Sequence, residues 1–139
     1  MHASARQLAF HGAVVLLIGL LCGAPYGRAI NRGSPAHVTA AWRLAHGSLP
    51  ISAAIMFAIC AVLSALPIAD SLRWIIAISL IISSYAFCIS LPLAATVGHR
   101  GLSSGGPLSA KLVFAGNSLG ALGSLVAAVA LVYAGWISL

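Results

Sequence analysis

Acidic side chains are almost absent from this sequence: Asp70 is the one carboxylate among 139 residues, and there is no glutamate. This excludes acid–base catalysis by paired carboxylates and argues against proton-coupled transport, which relies on an intramembrane Asp or Glu. Charged residues of both signs make up 6% of the chain, whereas 61% of it is hydrophobic. So few charges cannot cover the surface of a water-soluble protein of this length, so we predict a membrane protein.

The three cysteines, Cys22, Cys60 and Cys88, form no motif. None belongs to the CxxC pairs typical of zinc or iron–sulfur sites, or to the CxxCH of covalent heme attachment. Phosphate-binding glycine loops and hydrolase motifs are missing as well. The seven basic residues are scattered between apolar runs, which argues against a nucleic-acid partner.

Four apolar runs are long enough, at 1.5 Å per helical residue, to cross a hydrocarbon core of about 30 Å. They extend over about 8–24, 47–66, 72–97 and 112–137. Lipid offers no partner for open sheet edges, and no run alternates like a barrel strand. We therefore predict an all-α membrane protein, a bundle of four transmembrane helices in a single domain over 1–139. A cleaved signal peptide ending near Cys22 is a less favoured alternative, because His11 interrupts its apolar region.

The connections between these runs differ in length. In the first, Ser34 is the expected N-cap and Pro35 the first residue of a helix. If that helix continues into the second span, it is too long for the bilayer and is expected to project from it or to kink at Pro50. We predict a tight hairpin over Pro67–Ser71 and a glycine-rich loop over Gly98–Pro107.

Basic residues are distributed unequally between the two membrane sides. The two longer connections carry Arg28, Arg32, Arg43, Arg100 and Lys111, whereas the opposite side carries Arg6 and Arg73. Since positive charge favours the inner side, the longer connections are predicted to face the cytoplasm. The expected location is a bacterial-type inner membrane, with the chain as a multi-pass protein.

Polar residues inside apolar spans are candidates for function, and here they are His11, His46, Tyr85 and Asn117. Trp42 lies four residues before His46 and therefore shares its helix face. An imidazole beside an aromatic ring, with Arg43 available for a propionate, suits an axial heme ligand. The commoner alternative is an interfacial Trp/His/Arg anchor.

The two intramembrane histidines are expected to lie far apart. His11 is near the start of the first span and His46 near the start of the second, so an antiparallel pair places them more than about 20 Å apart. One iron could not bind both, which favours a single histidine ligand and an open sixth position. For His11, a hydrogen bond between helices and a catalytic role both stay open.

Small residues spaced four apart predict close helix packing at two places, Gly19/Gly23 and Gly116/Gly120. Asn117 lies within the second pair. The spacing does not distinguish packing within one chain from packing between copies. A bundle of four short spans has little interior volume, so a large cofactor fits more easily between subunits.

Several short motifs together resemble the styrene oxide isomerase family. They are His11-Gly12, Gly33-Ser34-Pro35, Trp42 with His46-Gly47, and Arg100-Gly101-Leu102. The resemblance covers nearly the whole chain in the order and length of the spans. It implies a homotrimeric four-helix membrane protein that binds heme b. It also implies that ferric iron acts as a Lewis acid, opening an aryl epoxide that isomerises to an aldehyde by a 1,2-hydride shift.

The resemblance also maps roles onto residues. It places the heme ligand on His46, and two polar pocket residues of the family fall on Ser52 and Leu91. The predicted metal ligand is His46, and the predicted cofactor-binding residues around it are Trp42, Arg43, Arg28 and Arg32. The predicted catalytic residues are Tyr85, Asn117 and Ser52. The apolar epoxide is expected to enter from the surrounding lipid.

Two other functions remain open at this point. Loss of the family's polar residues at Ser52 and Leu91 is compatible with a non-catalytic heme protein for gas sensing or electron transfer. If the histidines are only anchors, the chain is a structural or assembly subunit without a cofactor.

Overall fold

The computed structural model describes all residues from 1 to 139, and every regular element is a helix. In chain order the helices are α1 (Ala3–Leu21), α2 (Gly23–Asn31), α3 (Ala36–Ala65), α4 (Asp70–Val97) and α5 (Leu108–Trp136). α1 and α2 together form the first of four candidate membrane spans, each 28 to 30 residues long. The prediction of an all-α protein with four apolar helices long enough to cross a membrane is confirmed.

The first pass is longer than its apolar run and is broken near its end. α1 ends at Leu21 and α2 begins at Gly23, with Pro25 in its first turn. Because Pro25 has no amide hydrogen, it cannot donate to the carbonyl of Leu21, four residues earlier. The residues from Pro25 to Asn31, which the sequence assigned to a connection, are helical.

α3 begins eleven residues before the predicted second span. Its first residue is Ala36, and no side chain caps it, so the prediction of Ser34 as N-cap is wrong. The helix continues through Pro50 to Ala65. Its 30 residues amount to about 45 Å, which matches a bilayer including its headgroups. His46 therefore lies in the third turn of α3 and not at a helix start.

The hairpin between α3 and α4 is stabilised by Arg73, whose side chain is 8% exposed. Its guanidinium donates to the carbonyl oxygens of Leu63 at 3.3 Å and Leu66 at 2.7 Å, and to the Asp70 carboxylate at 2.8 Å. These bonds satisfy carbonyls at the end of α3 that have no helical donor. The tight hairpin predicted over Pro67–Ser71 is present.

Glycines allow two helix pairs to approach closely. A Cβ at Gly19 of α1 would lie 2.5 Å from Cδ of Pro50 in α3. On α5, a Cβ at Gly116 would lie 2.8 Å from Cβ of Ser90 in α4. Both small-residue patterns therefore serve packing within one chain.

α5 is the peripheral helix of the bundle. α1, α3 and α4 pack against one another, whereas α5 packs against α4 alone. The fully buried core consists mainly of side chains from the first three passes, including Leu8, Val15, Leu49, Met56 and Ile76. Because α5 does not contact α3, an open groove runs between these two helices with α4 as its floor.

Candidate functional site

His46 is oriented by a backbone carbonyl. Its Nδ1 lies 2.9 Å from the carbonyl oxygen of Gly19. A carbonyl can only accept a hydrogen bond, so Nδ1 carries the hydrogen and donates it. In the neutral imidazole the Nε2 lone pair is then free, and no hydrogen bond occupies it. This is the form in which histidine binds a metal.

The Gly19 carbonyl is available because of the break in the first pass. It is one of the last four carbonyls of α1, which ends at Leu21, and these lack a donor within their own helix. The imidazole therefore satisfies a carbonyl that the end of α1 leaves without a helical donor.

The imidazole lies in a cleft against the first pass. A Cβ at Gly23 would lie 3.0 Å from Cε1 of His46, so a side chain there would push the ring by a few tenths of an ångström. The Tyr26 ring is 6.1 Å away between centroids and tilted by 33°. His46 itself is partly exposed. A histidine whose Nδ1 is hydrogen-bonded and whose Nε2 is free is suited to bind heme iron.

Cationic side chains near this cleft are free of acidic partners. Arg28, Arg32 and Arg43 are all exposed, and the one carboxylate, Asp70, is paired with Arg73. Their guanidinium groups are therefore available for the carboxylates of a cofactor. Trp42 is partly buried against the apolar core.

Ser52 lies in a different place, the groove between α3 and α5. This groove has a volume of about 520 Å³ and is lined mainly by apolar side chains. The Ser52 hydroxyl is 2.9 Å from that of Ser84, which in turn donates to the sulfur of Met56 at 3.3 Å. The hydroxyls of Ser83 and Ser124, 2.7 Å apart, also line the groove, so it offers two serine pairs on an otherwise mainly apolar wall.

His46 and Ser52 belong to different faces of α3. Leu44 and Ser48, two residues on either side of His46, both line the groove. Since successive helical residues are about 100° apart, the His46 side chain points away from the groove. One chain therefore does not bring the predicted metal ligand and Ser52 into the same cavity.

Tyr85 forms a hydrogen bond between α1 and α4. Its hydroxyl lies 2.9 Å from Nδ1 of His11, and the two rings meet edge to face with centroids 5.5 Å apart. Tyr85 is not among the groove-lining residues. The sequence left two roles open for His11, a hydrogen bond between helices and catalysis. The structure shows the hydrogen bond.

Asn117 lies near the loop at the far end of the bundle. Its Nδ2 donates to the carbonyl of Arg100 at 3.2 Å, whereas its Oδ1 is buried without a partner. It lines a second cavity of about 440 Å³ together with His37 and His99. Leu91 lines both this cavity and the groove.

The axial separation of the two intramembrane histidines is smaller than predicted. His46 is bonded to Gly19, eight residues after His11 on α1, which corresponds to about 12 Å along that helix. The prediction of more than 20 Å is wrong because α3 begins at Ala36, so His46 is not at its start. The two histidines also have different partners, since His11 is bonded to Tyr85 and His46 to the Gly19 carbonyl.

Three residues of the His46 cleft and the groove were not recognised as part of a site from the sequence. Gly19 and Gly23 were interpreted only as packing residues, although they hold the His46 ring. Ser84 had no distinguishing pattern, since a serine in an apolar run has many possible partners.

Comparison with known protein families gives a match over most of the chain. The family model for styrene oxide isomerase matches residues 4–136, which is nearly the whole chain. No curated protein matches.

Proposed function

Because the chain belongs to the styrene oxide isomerase family, which implies an epoxide isomerase, we propose that it is a membrane-embedded, heme b-dependent isomerase of aryl epoxides. The reaction converts the epoxide into an aldehyde by a 1,2-hydride shift, without net redox change. The observation that carries the proposal is the His46 imidazole, whose Nδ1 is tied to the Gly19 carbonyl and whose Nε2 is free.

When bound, ferric heme supplies a Lewis acid that polarises the epoxide oxygen. His46 would be its ligand. Arg28, Arg32 and Arg43 are the candidate partners of the heme propionates, and Trp42 is the neighbouring aromatic residue on the His46 face. The Gly19 carbonyl keeps His46 in one tautomer, which preserves its ability to bind metal.

The groove is the proposed epoxide site. Its apolar walls suit a substrate that arrives from lipid, and they limit the access of water that would hydrolyse the epoxide. Because Ser84 donates its one hydroxyl hydrogen to Met56, Ser52 donates to Ser84 in the empty groove, and it would exchange this bond for one to the substrate oxygen. Catalytic roles for Tyr85 and Asn117 remain predictions, since their hydrogen bonds are to His11 and to the Arg100 carbonyl.

A homotrimer is part of the proposal. His46 and the groove lie on different faces of α3, so a site that uses both needs the groove of a second copy. α5 supports this, because it packs only on α4 and exposes large apolar side chains such as Leu122, Leu125 and Val129. We place the trimer in the bacterial cytoplasmic membrane.

The test is the absorption spectrum of purified wild-type protein beside His46→Ala, ferric and after reduction by dithionite. We expect a Soret band that is lost or shifted in His46→Ala and retained in His37→Ala, a control at an exposed histidine of α3. The wild type should also convert an aryl epoxide to an aldehyde without added reductant. Absence of a Soret band after expression with ample heme would contradict the proposal.

A non-catalytic heme protein is the second candidate. It is favoured by Leu91, an apolar residue where the groove and the second cavity meet. It predicts a reducible iron that binds CO or NO, with no turnover across a panel of epoxides. A six-coordinate low-spin spectrum would favour electron transfer.

A further inference from the structure

Phe87 is the one aromatic side chain that lines the groove. It lies on α4, about one turn after Ser84 and one turn before Leu91, and both of these residues also line the groove. A substrate whose oxygen is near Ser52 and Ser84 must therefore pass the Phe87 ring to extend toward Leu91.

The Phe87 ring rests directly on the backbone of α5. A Cβ built at Gly120 would lie 2.6 to 2.8 Å from Cζ, Cε2 and Cε1 of the ring, closer than real Cβ contacts. Glycine at this position is thus what allows the ring to lie against α5. Any side chain at 120 displaces the ring tip, and the groove is the open side toward which it can move.

We propose that Phe87, seated on Gly120, determines the size of the aryl group that the groove accepts and selects single-ring epoxides over biaryl ones. This inference rests on the proposed isomerase function and assigns its substrate class. A smaller side chain at 87 lengthens the groove toward Leu91, whereas a side chain at 120 narrows it. The two changes therefore act on selectivity in opposite directions.

The experiment compares Phe87→Leu, Gly120→Ala and wild type in lipid nanodiscs. The control is Phe10→Leu, because Phe10 is 63% exposed and lies on α1, away from the groove. The first measurement is kcat/KM for 4-phenylstyrene oxide relative to styrene oxide. The second is binding of the unreactive alcohols 2-(biphenyl-4-yl)ethanol and 2-phenylethanol by calorimetry, corrected with empty nanodiscs.

We expect Phe87→Leu to raise the biaryl-to-monoaryl ratio about tenfold in turnover and in binding, since small changes of pocket shape are worth about 10- to 200-fold. Gly120→Ala should lower both ratios, and Phe10→Leu should leave them unchanged. An unchanged ratio in Phe87→Leu protein with wild-type helicity would overturn the inference, even if Gly120→Ala does not fold. If the binding ratio shifts but wild type turns over no epoxide, the size selection stands and the isomerase proposal fails.

Discussion

At the residue scale, the end of one helix determines the state of a histidine in another. α1 ends at Leu21, which leaves the Gly19 carbonyl among those without a helical donor. His46 occupies that acceptor through Nδ1. The proton position of the imidazole is thus imposed by helix geometry and not by a neighbouring acid, which this chain almost lacks.

The hydrogen bond between His11 and Tyr85 leads to a prediction that distinguishes a structural role of Tyr85 from a catalytic one. Tyr85→Phe removes the hydroxyl and leaves Nδ1 of His11 without its partner between α1 and α4. We expect a loss of stability of about 1 kcal/mol, seen as a lower apparent melting temperature. Because Tyr85 does not line the groove, epoxide turnover should stay near wild type.

The matched control is Tyr133→Phe, since Tyr133 is 50% exposed on α5 and should change neither quantity. A large fall in turnover of folded Tyr85→Phe would instead assign Tyr85 the catalytic role predicted from the sequence.

The functional residues were easier to predict than the groups to which they form hydrogen bonds. His46 was recognisable because a histidine in an apolar span near tryptophan and arginine is unusual. Its acceptor was not, because the Gly19 carbonyl is backbone and every residue has one. Ser52 was identified through the family resemblance, but periodicity alone does not show that His46 and Ser52 face different cavities.

At the element scale, the crossing of α1 and α3 controls the His46 cleft. Gly19→Ala places a methyl group 2.5 Å from Pro50, and the rigid proline ring cannot move aside as a flexible chain would. The helices must separate, so the bond from His46 to the residue 19 carbonyl lengthens. We expect a clear decrease in bound heme per protein, measured from the Soret absorbance.

Gly47→Ala is the control for this change. Gly47 is adjacent to His46 on α3, and a Cβ there meets nothing within 4 Å. Its heme content should match wild type, because alanine also favours a helix. Equal heme in Gly19→Ala and wild type would contradict the importance of this crossing.

The elements themselves were predictable in number but not in extent. Four apolar runs and the turn at Pro67 identified the spans and the hairpin. The helical segment 25–31 was missed because it is not uniformly apolar, and hydropathy does not show where a helix ends. A helix starting at Pro35 was predicted, but the sequence did not determine whether it continues into the second span, as α3 does.

At the scale of the whole molecule, charge and topology agree. The N-terminus and the α3–α4 hairpin share one end, since His2 lies 3.7 Å from Asp70. The loops after α2 and α4 are at the other end, and these loops and the helix segments beside them carry Arg28, Arg32, Arg43, Arg100 and Lys111, five of the seven basic residues. We therefore expect Ser103→Cys to react with an impermeant maleimide only from the cytoplasmic side, and Ser71→Cys only from the outer side.

Both serines are exposed. The native cysteines are at most 9% exposed, so wild type serves as the unlabelled control. Labelling of both positions from the same side would contradict this topology.

The proposed trimer leads to the last prediction, because a site shared between copies can be rebuilt from two defective chains. His46→Ala keeps an intact groove, and Ser52→Leu keeps an intact His46 while filling the groove. In a mixed trimer, one interface joins the good histidine of one chain to the good groove of the next. Random mixing leaves about one quarter of all sites intact, and about one third in the mixed trimers that both tags select.

We therefore expect each variant alone to be inactive and the two chains, coexpressed with different tags and purified through both, to recover epoxide turnover. Coexpression of two differently tagged His46→Ala chains is the control and should stay inactive. If His46 and the groove act within one chain, every subunit of the mixed protein carries one defect, and no turnover returns. Recovery would thus locate the reaction at the contact between subunits. This is the arrangement that we expect, because His46 and Ser52 lie on different faces of α3.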